Sequence, residues 1–277
     1  AISAVGGTPT GTGTPGAGGN VTFADPVVLA TDITITTGAT AGNISFQSTL
    51  DSAATDANTL ALTAGTGSIA FTGAVGSGAT QELGAVTIVS ATDVTASSTF
   101  EAASLTQTAG TGTTMLDGVV TTAANVSLTT ATIDIDANVV TNGGDVDLNA
   151  TTLVDLATGT SITTTGNAAG EAGGDVDIDV SGTGTVNLVG ALVTTGNANA
   201  AGAGGTGGDV TIDTANGTVS VTAITSDGGA ATTTGNNNGG AAGDVAINTD
   251  SSNIITLNGA ISAVGGTPTG TGTPGAG

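Results

Sequence analysis

DVTIDTANGTVSVTAITSDGG, residues 209–229, is the stretch that decides the fold. Polar and β-branched apolar residues alternate along DVTI and again along TVSVT (218–222), the period-two pattern of strands with one buried face. Asn, Gly and Asp mark turns between them, so one phrase holds two short strands and usually a third. Three such strands make one coil, which buries its apolar face only by stacking on a neighbour.

The phrase recurs along the chain. Its first inward residue falls at Val21, Leu60, Val86, Leu105, Val126, Val146, Val176, Val210 and Val245. Two positions on stand Phe23, Leu62, Ile88, Gln107, Leu128, Leu148, Ile178, Ile212 and Ile247, apolar in all but one, as inward-facing partners on a strand must be. The column before each start is polar or small: Asn20, Thr59, Ala85, Ser104, Asn125, Asp145, Asp175, Asp209 and Asp244. Gly19, Gly84, Gly144, Gly174, Gly208 and Gly243 precede that column, which predicts a corner with unusual backbone angles. No segment carries a 3.6-residue apolar stripe, so helix is not expected.

The expected fold is therefore all-β, a parallel β-solenoid with Val, Ile, Leu, Ala and Thr in a narrow core. Residues 21–59 offer Val21, Ile33 and Ile44 as starts, either as one enlarged coil or as two tight ones. The repeat holds nine or ten coils, a rise of roughly 43 to 48 Å at about 4.8 Å per stacked strand. Start spacings run from 19 to 26 residues through the middle of the chain, then reach 30, 34 and 35. The growth lies in TTTGNAAGEAGG (163–174), NANAAGAGGTGG (197–208) and TTTGNNNGGAAG (232–243), all at one corner. Closure entropy rises slowly with loop length, so these segments are predicted to project as flexible fingers.

AISAVGGTPTGTGTPGAG occurs twice, at residues 1–18 and 260–277, and four of the five prolines lie in it. Each copy reads as a long corner loop, which Pro stiffens without disturbing a ladder. The organisation expected is a loop closing one repeat (1–18), a tightly coiled stretch (19–142), a stretch with long Gly/Asn/Ala-rich loops (143–259) and the start of a further repeat (260–277). The chain reads as one period of a tandem array, so its partner is itself, by continuation or by head-to-tail stacking.

Composition excludes much chemistry. The 277 residues include no Lys, Arg, His, Cys, Trp or Tyr, and 22 carboxylates leave a net charge of −22. Nucleic acid and anionic lipid need cations to neutralise phosphate, and no apolar run is long enough for a membrane span. Acid–base pairs such as Asp177 with Asp179, or Asp134 with Asp136, lack any basic partner, so an enzyme is not expected. Phe23, Phe46, Phe71 and Phe100 are expected in the core. Sequons at Asn20, Asn43, Asn125, Asn149 and Asn216 leave glycosylation open.

LALTAGTGSIAFTGAVG (60–76), AVTIVSATDVTASSTF (85–100) and SLTQTAGTGTTMLDGVVT (104–121) resemble the strand-rich repeats of giant bacterial surface proteins, the filamentous-haemagglutinin-like and β-strand-repeat families. The resemblance covers residues 19–259. It implies a right-handed solenoid, secreted or displayed on the cell surface, that builds fibres or promotes adhesion. Two functions follow: a durable extracellular structural fibre, or an adhesin whose long loops contact a cell, glycan or other surface. Ice binding is disfavoured, because no regular Thr-x-Thr row runs across the coils.

One cluster invites a cofactor. Stacking places Asp145, Asp175, Asp209 and Asp244 about 5 Å apart, and mutual repulsion would cost about 2 to 3 kcal/mol before screening. Asp147 and Asp177 stand beside them. Carboxylates so arranged are candidate Ca²⁺ ligands, the alternative being that they fan outwards or cap the corner. GGTGGDVTI (204–212) only faintly echoes the nonapeptide Ca²⁺-binding roll and lacks its nine-residue spacing.

Overall fold

The structure, a computed structural model, describes residues 1–78, 80–232, 235–250 and 253–277. Thr233 and Thr234, in the expected corner loop 232–243, lie outside the described residues. The described residues form 24 strands and no helix, and the strand pairs run parallel. The chain divides into two compact units, residues 1–121 with 127–137 and residues 122–126 with 138–277.

In the first unit the chain visits three ladders in turn. The first stacks Ile2–Ser3, Ile33–Thr36, Leu60–Thr63, residues 86–90 and residues 104–107. The second stacks Val21–Phe23, Ile44–Phe46, Ile69–Phe71, Val94–Ala96, Thr113–Leu116 and residues 132–135. The third pairs Val27–Leu29 with Leu50–Ser52 and continues through bridges from Leu50 to Val75 and Phe100. Each strand thus pairs with the strand three sides further along.

This corrects the alignment of the first phrase. Val21 stacks on Ile44 in the second ladder, and Ile33 is the residue that stacks on Leu60 in the first. The stretch 21–59 therefore contains the end of one round and the whole of another. Period-two alternation cannot distinguish the sides of a round, because every side has the same inward–outward pattern.

The second unit repeats the order. Val146, Val176, Val210 and Val245 begin its first ladder in register. Val154, Val186, Val219 and Ile255 mark the second, and Val139, Ile162, Leu192, Ile224 and Ile261 the third. Like lies on like: Leu148 on Ile178 on Ile212, each fully buried. Burying such a side chain contributes about 1.5 to 3 kcal/mol, and the gain recurs at each level.

The phenylalanines extend this core in the first unit. Phe23 and Phe46 stack with centroids 5.0 Å apart, and Phe46 and Phe71 follow at 5.5 Å. Phe100 meets Phe71 edge-on from the third ladder. Gln107 is the odd inward residue. It is fully buried, accepts a 2.5 Å hydrogen bond from the Thr114 hydroxyl, and leaves its Nε2 without a partner.

The long loops are bound to one another, contrary to the expectation of loose fingers. At each neck a buried hydroxyl closes the loop: Thr164 donates to the Gly174 carbonyl (2.6 Å), and Thr194 and Ser226 both donate to that of Gly208 (2.7 Å each). The Gly174, Gly208 and Gly243 amides return hydrogen bonds to the carbonyls of Thr164, Thr194 and Ser226. Further out, extended glycine-rich limbs cross-link: Gly205 donates to Asn197, Gly229 to Gly205, Gly240 to Gly229, and Gly266 to Gly240, at 2.8–2.9 Å. These residues lie outside the assigned strands, so they form a second hydrogen-bonded layer beside the ladders.

Glycine here serves close approach. A methyl group at Gly240 would overlap the Gly205 carbonyl oxygen, and one at Gly205 would overlap that of Glu171. The same holds for the Gly column before the strands, where Gly208 lies against the Gly174 carbonyl and Gly243 against that of Gly208. None of Gly19, Gly84, Gly144, Gly174, Gly208 or Gly243 has a positive φ, so the expected unusual angles are absent; crowding explains the column from Gly84 onward, whereas at Gly19 an added Cβ would meet only ordinary contacts. Gly240→Ala is expected to cost about 1 to 3 kcal/mol, the range for overpacking. Gly7→Ala, where nothing lies within 4 Å, is expected to be neutral. Paired thermal melts of the two variants check this.

Candidate functional site

Asp145, Asp175, Asp209 and Asp244 each stand immediately before a strand of the first ladder in the second unit, exposed at its outer edge. Their register makes them a column, as the sequence predicts. The carboxylates of Asp145, Asp175 and Asp209 are each engaged by the residue stacked on them. Asp175 N–H donates to Asp145 Oδ1 (3.0 Å), Asp209 N–H to Asp175 Oδ1 (2.7 Å), and Asp244 N–H to Asp209 Oδ1 (2.8 Å). Asp145 N–H donates to Asn125 Oδ1 at 3.0 Å. An amide hydrogen bond to a carboxylate is charge-assisted, and here it offsets repulsion along the column.

Asp147 and Asp177 are register partners on the same outward strand face. Asn149 donates to Asp147 Oδ1 at 2.6 Å. Asp179 pairs in register with Asp213 beside them, so the face is densely acidic. Partial burial raises the Asp177 carboxyl above its ordinary range, reinforced by the charges of Asp147, Asp179, Asp213 and Asp175. Among the described residues, no three carboxylates converge in a group that could hold a metal ion. The arrangement brings carboxylate to backbone amide along the column.

The sequence reading singled out only the charged members of a wider device. Asn20 accepts from the Asn43 amide and Asn43 from that of Ser68, both at 2.9 Å in the second ladder. Asp32 accepts from the Thr59 amide (2.8 Å), Asp93 from Thr113 (2.9 Å) and Asn138 from Ser161 (2.9 Å). The Thr59 hydrogen bonds hold the Asp32 carboxyl below its usual range. The signal was partly legible: Asn or Asp recurs just before strands of all three ladders, as at Asn20, Asp32 and Asn138, interleaved with Thr59, Ser68, Ala85 and Ser104.

The chain shows no match to protein-family models, to curated proteins or to solved structures. Its functional reading rests on its own geometry.

Two outcomes test this site. The fold disfavours ionised Asp177, so this group costs stability as pH rises from the ordinary aspartate range, about 3.9, through its raised folded value. Asp177→Asn should therefore raise the melting temperature at pH 7 and leave it unchanged near pH 3. Millimolar Ca²⁺ followed by chelator should leave the melting curve in place; a reversible rise of several degrees would establish the column as a cation site.

Proposed function

We propose that both units are stretches of a right-handed parallel β-solenoid and that the chain is a structural segment of an extracellular fibre whose partner is another copy of itself. Parallel crossovers are right-handed in nearly all known cases, which supports the hand. One observation carries the functional reading: the same inward apolar positions repeat in register from round to round. Ile255, Leu257 and Ile261 are 39, 55 and 39 % exposed, whereas their register partners Val219, Val221 and Ile224 are at most 1 % exposed. The exposed residues keep the inward positions of the ladder, so the surface that fits them is a further round of the same repeat. Unpaired strand edges of this kind are natural templates for added strands.

The acidic outer face and the absence of any cationic side chain suit a fibre that stays soluble and does not collapse on its neighbours. Durability would come from backbone ladders, repeated apolar layers and cross-linked glycine limbs, none of which depends on ion pairs. The same limbs spend loop amides such as those of Gly205, Gly229, Gly240 and Gly266 on one another, which favours the structural role over adhesion.

Sedimentation velocity tests the proposal. The 25.5 kDa chain should form elongated end-to-end oligomers as concentration rises, and Leu257→Asp with Ile261→Asp should abolish them without lowering the melting temperature. A wild-type chain that remains monomeric at hundreds of micromolar would contradict it.

A further inference from the structure

The two copies of AISAVGGTPTGTGTPGAG do not occupy equivalent places. Ile2 and Ser3 pair with Ile35 and Thr36 on the first ladder, and the loop that follows leads to Val21 on the second. Ile261 and Ser262 pair with Ile224 and Thr225, on the third ladder. Followed side by side along the chain, the interval from Ile2 to Ile261 holds nine full rounds and two further sides. A period of 259 residues is therefore one side short of ten rounds.

We propose that successive copies in the array are each turned by one side, about a third of a revolution, so that the glycine-rich crest moves from corner to corner and returns after three copies. The inference rests on the array reading given above. Two independent features support it. The loop carries its own closure: Gly16 N–H donates to Gly7 (2.9 Å), and the identical bond joins Gly275 to Gly266 (3.0 Å), although the neighbours differ. The first copy lies against Thr40, whose hydroxyl donates to Gly16, whereas the second lies against the limbs of residues 228–240. Such a module fits at either corner.

The second feature is the phrase Gly19–Asn20–Val21–Thr22–Phe23. It sits on the second ladder beside the matching phrase Gly42–Asn43–Ile44–Ser45–Phe46, and it shares the pattern of Gly243–Asp244–Val245–Ala246–Ile247 on the first, so the phrase suits either ladder. Following Gly277, a repeat of that phrase would be the next side after the third, which is the first ladder. Its Val and Phe would stack on Val245 and Ile247, and its Asn amide would reach the Asp244 carboxylate as Asp244 reaches that of Asp209. One sequence thus serves each ladder in turn in successive copies.

Helical reconstruction of the native fibre by electron cryomicroscopy tests this. A rise of about 46 Å per copy is expected from nine and two-thirds rounds at about 4.8 Å each. The loop crest should emerge at three azimuths in rotation. A rise of about 43 or 48 Å with every crest on one azimuth would overturn the one-side step and leave the fibre reading intact. A fibre without a spacing of about 4.8 Å along its axis would overturn both.

Discussion

Parallel stacking places every residue directly over its counterpart at a strand spacing of about 4.8 Å, and the rest of the structure answers to that constraint. Inward, it demands like on like, hence Leu148 over Ile178 over Ile212 and the stacked rings of Phe23, Phe46 and Phe71. At the strand entries it leaves an amide facing the side chain stacked on it, hence the Asn and Asp acceptors. Where limbs must cross, it leaves no room for a Cβ, hence glycine.

The acidic column gains meaning from its neutral relatives. Asn20, Asn43 and Asn125 hold the same amide that Asp145, Asp175 and Asp209 hold, so the hydrogen bond does not require charge. The aspartates add negative charge to an outer face already carrying Asp147, Asp177, Asp179 and Asp213, a cost seen in the Asp177 carboxyl, which partial burial first and these neighbouring charges second hold above its ordinary range. That cost is tolerable where water and salt screen it. It also makes lateral association of identical acidic faces unfavourable.

Strand content, the inward columns of the second unit and the aspartate column were legible in the sequence because period-two alternation and identical spacing report them directly. The side on which a phrase lies was not, since all three sides use the same alternation; this is why Val21 resembled a first-ladder start. The glycine column was visible, but its cause was hidden. Close approach between limbs is set by residues some thirty positions apart, such as Gly240 and Gly205, and no local pattern encodes it. The same non-local bonding turns expected flexible fingers into an ordered layer.

X-ray diffraction from aligned specimens tests the central proposal, that each unit is built by stacking parallel strands along a solenoid axis, most directly. A sharp reflection near 4.8 Å on the meridian is the result the account predicts. The same spacing found only on the equator, or spread over the steep tilts of a closed barrel, would contradict it.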